Sequence, residues 1–172
     1  MSKSISLRNI TMEDYNSVLN WSKDEAFCSA NGWEKNRNPD ELYNWWTKCV
    51  HTKIDNFIRM GIELDNQIIG YVDLASIKDN SAEIGIAIGE NAMWGKGIGF
   101  NSVLCMIEYG IKKLGINTFH AETHESNIRS RRMLEKVGFE EVSKIGSEEY
   151  LGKNDQLIQY KFKLQMNLID SQ

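Results

Sequence analysis

A single proline, and no repeat or low-complexity tract, leave nothing in the chain that reads as a linker. The length is 172 residues. At about 150 residues per domain, one domain over residues 1–172 is expected. A chain this long buries roughly 70% of its unfolded surface and needs no staples. Cysteine is scarce: Cys28, Cys49 and Cys105 are odd in number and far apart. That excludes a disulfide framework and a paired-cysteine metal site, and leaves reduced thiols acting as small hydrophobes. No run approaches the roughly 20 apolar residues of a membrane span. The opening Met1-Ser2-Lys3-Ser4-Ile5-Ser6 has no apolar signal core, so a cytoplasmic protein with no membrane partner is expected. Positive charge is also short, with 20 Lys+Arg against 24 Asp+Glu and a net charge of −4. Without a basic cluster, nucleic acid is not an expected partner, whereas an acidic surface suits a small cationic substrate.

The hydrophobic pattern changes period along the chain. Ile5 and Leu7 alternate with polar residues as a short first strand. Thr11 opens a helix start with Asp14 three residues on, and Tyr15, Val18 and Leu19 share one face of a helix over 12–22. Residues 23–37 are mixed and read as a loop. Asn38-Pro39-Asp40-Glu41 combines an N-cap, a proline at the first helical position and an acid to close the box. Leu42, Trp45, Trp46, Cys49 and Val50 continue it at helical spacing. The period then drops to two, with strands over 57–64, 67–77 and 82–88. Tight turns at Asp65-Asn66 and 78–80 make them an antiparallel meander. A helix marked by Val103, Leu104, Ile107, Ile111 and Leu114 ends at Gly115. A strand over 116–123, a helix over 127–137 stopped by Gly138, and strands over 139–143 and 157–164 complete the chain. The expected fold class is mixed α+β, in the order β-α-α-β-β-β-α-β-α-β-β. The strands flanking the long helix should run parallel, because their connection is too long for a hairpin.

Glycine is unevenly spread: Gly85, Gly89, Gly95, Gly97 and Gly99 fall within fifteen positions. Trp94-Gly95-Lys96-Gly97-Ile98-Gly99 lies between a strand and a helix, where backbone N–H groups and the helix N-terminus suit a phosphate or pyrophosphate. A Walker A loop does not fit, since Gly97 follows Lys96 where Ser or Thr should stand. A dinucleotide fingerprint does not fit either, because a meander and not a βα unit leads into the loop.

Farther on, Glu122-Thr-His-Glu-Ser-Asn127-Ile-Arg-Ser130 joins a strand end to a helix, and Leu134-Glu135-Lys136-Val137-Gly138-Phe139 follows. With these segments the chain resembles the GNAT acetyltransferases. The glycine loop looks like that family's pyrophosphate motif, and Asn127 to Phe139 like the helix motif that follows it. Leu7-Arg8-Asn9-Ile10-Thr11-Met12-Glu13-Asp14 resembles the start of the branch that acetylates ribosomal-protein N-termini, with its small-molecule relatives. Trp94 replaces the motif's usual Gln or Arg, as it often does in that branch.

The resemblance implies a single domain whose mostly antiparallel sheet parts two parallel strands around acetyl-CoA. The backbone of Ile84 to Ile88, with Ile86 and Ile88 foremost, would meet the pantetheine amides. Gly95, Lys96, Gly97, Ile98 and Gly99 would hold the pyrophosphate beside Trp94, Asn127 would bond the pantetheine arm, and Lys96, Arg131 or Arg132 would reach the 3′-phosphate. Leu134 stands where many members carry a tyrosine that protonates the departing thiolate. Ser130 is the nearest replacement, or else a packing serine. The implied reaction is direct attack of a primary amine, from a protein N-terminus or a small molecule, on the thioester in a ternary complex. A non-catalytic CoA-binding module of the same fold is the alternative. A homodimer is compatible with the resemblance.

An amine with a pKa near 10 must lose a proton before it attacks. Glu122 matches the base position of some members. Strand alternation puts His120, Glu122 and His124 on one face, so His124 is a second candidate, and Glu83 on the neighbouring strand is a third. His120, Glu122 and His124 have no clear fourth ligand, so no metal is expected. By the same resemblance the acceptor side would fall within 21–46 and 146–155, where Trp33, Trp45 and Trp46 with Glu34, Glu148 and Glu149 offer an aromatic, acidic pocket for a cation, or else core tryptophans.

Overall fold

The computed structural model describes residues 4–165, so the two ends of the expected 1–172 domain, including Met1 to Lys3, lie outside the described residues. The chain runs β1 (Ser6–Asn9), α1 (Tyr15–Ser22), α2 (Glu25–Asn31), α3 (Pro39–His51), β2 (Ile58–Leu64), β3 (Gln67–Lys78), β4 (Ser81–Ile88), α4 (Ile98–Leu114), β5 (Thr118–His124), α5 (Ile128–Val137), β6 (Glu140–Ser143), β7 (Ser147–Tyr150) and β8 (Lys153–Lys163). Short 3-10 turns at Met12–Asp14 and Asn91–Met93 precede α1 and α4. The strand order is β1-β2-β3-β4-β5-β8-β6, with β7 paired to β8. Among the described residues only β4 and β5 pair in parallel. The mixed α+β class, the meander and the parallel crossover are as the sequence pattern predicts.

Two expectations need correction. The segment 23–37 is not all loop, since residues 25–31 form α2. Its N-cap Asp24 accepts from the Phe27 N–H at 3.1 Å, and Gly32 closes it in the left-handed conformation. Fewer than two turns show no readable period, yet Phe27 and Cys28 are fully packed. The second addition is the hairpin β7–β8. Leu151 and Gly152, both at positive φ, make its two-residue turn, and β8 begins at Lys153 and not at 157.

The sheet separates two cores. One lies under α4 and α5 around Val72, Ile84, Met106, Phe119 and Tyr160. The other lies under α1 to α3 around Val18, Trp21, Phe27, Leu42 and Trp46. Local chemistry fixes the entry to the second layer. Asn38 caps α3 by accepting from the Asp40 N–H at 2.8 Å, and the buried Trp46 indole donates to the Thr11 carbonyl at 3.0 Å. Asp14 accepts from the Thr11 N–H at 2.8 Å and from both terminal nitrogens of Arg8 at 2.9 and 2.8 Å. Across β2 and β3, Arg59 and Asp73 form a bidentate pair at 2.7 and 2.8 Å. The Arg59 guanidinium lies 4.2 Å from the Tyr71 ring centre and 5.5 Å from that of Trp45. Burial pushes the Asp73 carboxyl up, and the Arg59 contact opposes it.

Two glycines permit close approach beside the site. A Cβ at Gly70 would stand 2.2 Å from the Ala87 carbonyl oxygen, and one at Gly89 would stand 2.1 Å from the Trp21 indole. Gly89→Ala should therefore displace Trp21 and cost about 1–3 kcal/mol, read from the denaturant midpoint. Arg59→Met leaves Asp73 buried without its cation. It should cost about 3–5 kcal/mol in the same measurement, far more than loss of an exposed pair.

Candidate functional site

The parallel ladder is short. Ser81, Ala82 and Glu83 pair with Thr118, Phe119 and His120, and there the pairing ends. Beyond it, β4 stays on β3 as far as Ile88, and β5 stays on β8 as far as His124. The Gly89 N–H donates to the Ile69 carbonyl of β3 at 2.7 Å. Since successive strand residues face opposite neighbours, Gly85 and Ala87 also turn toward β3, while the peptide groups of Ile86 and Ile88 face the gap.

Two adjoining cavities fill this gap. The first, about 250 Å³, lies between Ile84 to Ile86 of β4, Ala121 to His124 of β5, α2 and the β7 hairpin. The second, about 290 Å³, runs from Ile86 and Ile88 to the glycine loop and the outer face of α5. Ala30, Asn31, Ile86, Asn127, Ser130 and Met133 line both, so the two form one continuous cleft.

The glycine loop lies at the far end of the second cavity. Gly95 and Gly97 take φ of 75° and 79°, in the left-handed region that favours glycine, and a Cβ at Gly95, Gly97 or Gly99 would meet nothing within 4 Å. Gly97 caps the seventeen-residue α4, whose first amides, from Ile98 and Gly99 onward, have no partner within the helix. Phosphate oxygens suit such amides. The Trp94 indole donates to the Ile88 carbonyl at 2.9 Å, and the Arg129 guanidinium lies 4.4 Å from its ring centre. Trp94 thus ties the loop to the free end of β4. The Ile88 carbonyl thus already accepts one hydrogen bond, while the Ile86 peptide groups and the Ile88 N–H face the gap.

The candidate cations are placed differently from one another. Lys96 is exposed and lines neither cavity. Arg131 is committed inward, donating to the Tyr160 hydroxyl at 3.1 Å and the Glu125 carbonyl at 3.0 Å. Arg132 does line the second cavity, joined by Arg129 and Lys136. One residue step turns a helix position by about 100°, so neighbouring arginines look to different sides.

Asn127 caps α5 through its carbonyl oxygen, which accepts from the Ser130 N–H at 3.2 Å, leaving its NH₂ available to a ligand. Ser130 and Leu134 lie one turn apart on the cleft side of α5. Glu122 borders the first cavity and accepts from the Gln159 side chain at 2.8 Å. His124 stacks on Tyr150, with ring centres 4.3 Å apart and planes 11° from parallel. Its Nε2 is buried without a hydrogen bond, 3.9 Å from the Glu148 carboxylate. Glu83 stands at the last zipped pair, exposed, and lines neither cavity. The tryptophans and acids of the expected cation pocket are separated. Trp33, Trp45 and Trp46 pack into the second core, with Arg37 and Arg59 over Trp45, while Glu148 and Glu149 line the first cavity. Tyr150 and Asn31 are additions that no motif pointed to.

Charge is divided along the cleft. Among the described residues, the first cavity is lined by Glu122, Glu148 and Glu149 and by no lysine or arginine. The second, among the same residues, is lined by Arg129, Arg132 and Lys136 and by no carboxylate.

Comparison with known proteins agrees with this architecture. The family model described as an acetyltransferase (GNAT) domain matches residues 4–140. An uncharacterized protein of Methanocaldococcus jannaschii is 29% identical over 148 residues, covering 86% of this chain and 30% of that protein. The chain spans between 30% and 55% of the length of the curated relatives it matches. A ribosomal L7/L12 alpha-N-protein acetyltransferase in complex with coenzyme A superposes with a TM-score of 0.81 at 16% identity, covering 95% of this chain and 96% of that one. Spermidine N-acetyltransferase from Vibrio cholerae, in complex with CoA and spermine, superposes at 0.78 and 22% identity, covering 92% and 95%. From the parted parallel strands, the glycine loop beneath α4 and the match over residues 4–140, the chain belongs to the GNAT acetyltransferase family.

Proposed function

We propose that the protein transfers an acetyl group from acetyl-CoA to a primary amine, by direct attack within a ternary complex. The observation that carries this reading is the division of charge along one continuous cleft. A phosphate-bearing substrate suits the end with Arg129, Arg132, Lys136 and the glycine loop. An ammonium suits the end with Glu122, Glu148 and Glu149. The thioester would lie between them, beside Ile86.

On this reading the Ile86 and Ile88 backbone and the Asn127 NH₂ orient the pantetheine arm. The amides of Gly95 to Gly99 hold the pyrophosphate, and Trp94 keeps that loop against β4. The Ile86 N–H faces the gap and can stabilise the tetrahedral oxyanion. Glu122 takes the proton from the ammonium, with His124 the next group able to do so. None of Cys28, Cys49 and Cys105 lines either cavity, and burial pushes all three thiols up, which favours direct transfer over an acyl-cysteine. Three free thiols also suit a reducing, cytoplasmic compartment. Among the described residues no helix is long and apolar enough to cross a membrane. The acceptor is a protein N-terminus or a small amine such as a polyamine. Both occur among the structural neighbours, in the ribosomal-protein enzyme and the spermidine enzyme.

A second reading, a CoA-binding module without turnover, is favoured by one observation: Leu134 carries no proton to give the leaving thiolate. Acetyl-CoA should raise the melting temperature under either reading, by about 2.7 kcal/mol of added stability at a hundred times its Kd. Release of CoA thiol over a panel of amines and N-terminal peptides separates the two, since only the enzyme releases it faster than buffer. With Glu122 as base, Glu122→Gln should lower kcat/KM about 10²- to 10⁴-fold and change the acid limb of its pH profile. An unchanged profile moves the assignment to His124.

A further inference from the structure

We infer that Tyr150 is the proton donor to the departing CoA sulfur, the role left open by Leu134. This rests on the acetyltransferase reading above. Four hydroxyls line the first cavity, those of Ser29, Thr123, Ser130 and Tyr150. Of these only a phenol ionises near enough to the working pH to give up its proton readily. Tyr150 is also held in place by its surroundings. It closes β7, directly before the tight turn at Leu151 and Gly152, and is 8% exposed. Stacking on His124 fixes its ring, leaving rotation of the hydroxyl as its main freedom. The hydroxyl makes no hydrogen bond to any described residue, whereas the Tyr160 hydroxyl accepts from Arg131. A tyrosine stationed in a cleft with its polar end unspent is set toward something that enters the cleft.

Charge around the ring agrees. Burial and the Asp155 carboxylate push the Tyr150 phenol up, and Arg129 opposes them, so the group carries its proton throughout the neutral range. A group kept protonated serves as an acid and not as a base. Leu134 lines the same cavity, from the helix facing the β7 hairpin. Tyr150 on β7 thus borders the same space as Leu134 on α5.

The step balances as follows. The amine nitrogen forms its bond to the carbonyl carbon, and the carbon–sulfur bond breaks with its electron pair on sulfur. The Tyr150 O–H bond breaks and its proton moves to that sulfur. The phenolate regains a proton, through solvent, from the nitrogen that becomes the amide.

The test is steady-state kinetics of Tyr150→Phe, which keeps the ring stack and removes only the hydroxyl. Turnover should fall about 10²-fold or more, with KM for acetyl-CoA, its Kd and the melting temperature close to those of the unaltered protein. Ser130→Ala should lose less. A protein carrying a ring-fluorinated tyrosine at 150, whose hydroxyl ionises at lower pH, should show an alkaline limb of kcat that begins at correspondingly lower pH. Tyr150→Phe turning over within threefold of the unaltered protein overturns the assignment, as does a larger loss in Ser130→Ala or an unmoved alkaline limb. If the unaltered protein binds acetyl-CoA but acetylates no amine, the acetyltransferase reading fails first and this assignment falls with it.

Discussion

The parting of β4 from β5 after three residue pairs is the constraint around which the rest is arranged. Two parallel strands that stay paired leave no cleft. Two that separate expose peptide groups, at about 1–3 kcal/mol for each one left buried and unmet. The sheet tolerates this because each strand is held on its outer side, β4 by β3 and β5 by β8, along nearly its whole length. Smaller braces hold the gap at its ends. Trp21 lies against Gly89 where β4 finishes, and Trp94 occupies the Ile88 carbonyl. Beyond β5, the Asp155 carboxylate accepts from the Ser126 N–H at 3.1 Å and keeps the start of α5 against the β7 hairpin.

What could be read in the sequence was the part governed by neighbours in the chain. The Asn38-Pro39 start of α3, the meander with its turns at Asp65-Asn66 and Asp79-Asn80, and the glycine loop all carry their cause within a few residues. α2 escaped because seven residues span too few turns for a period to show; its signals, Asp24 and Gly32, are ordinary residues in ordinary places. β7 escaped because Ser147-Glu148-Glu149-Tyr150 shows no apolar alternation; only its last residue is buried.

The site divides along the same line. Asn127, Ser130, Glu122 and His124 were legible because they flank one strand–helix junction, and all four line the first cavity. Their company was not legible. The place of Arg129 depends on which side of α5 meets Trp94, and that of Tyr150 on a hairpin folding back over His124. Both contacts join residues more than twenty positions apart. The divided charge is of the same kind: acids from β5 and β7 gather at one end, bases from a single helix at the other, and the net charge of −4 records neither.

The glycines around the cleft will drift under mutation in opposite ways. At Gly70 the obstacle is a backbone oxygen 2.2 Å from any added carbon, with no rotamer that can give way, so the position is closed to every other residue. At Gly97 there is empty space and only a backbone preference to overcome, at about 1 kcal/mol, less for asparagine. The β3–β4 contact behind the cleft is therefore nearly immutable at Gly70, while the loop at its mouth can change residues and still fold, and selection on that loop acts through whatever must approach it.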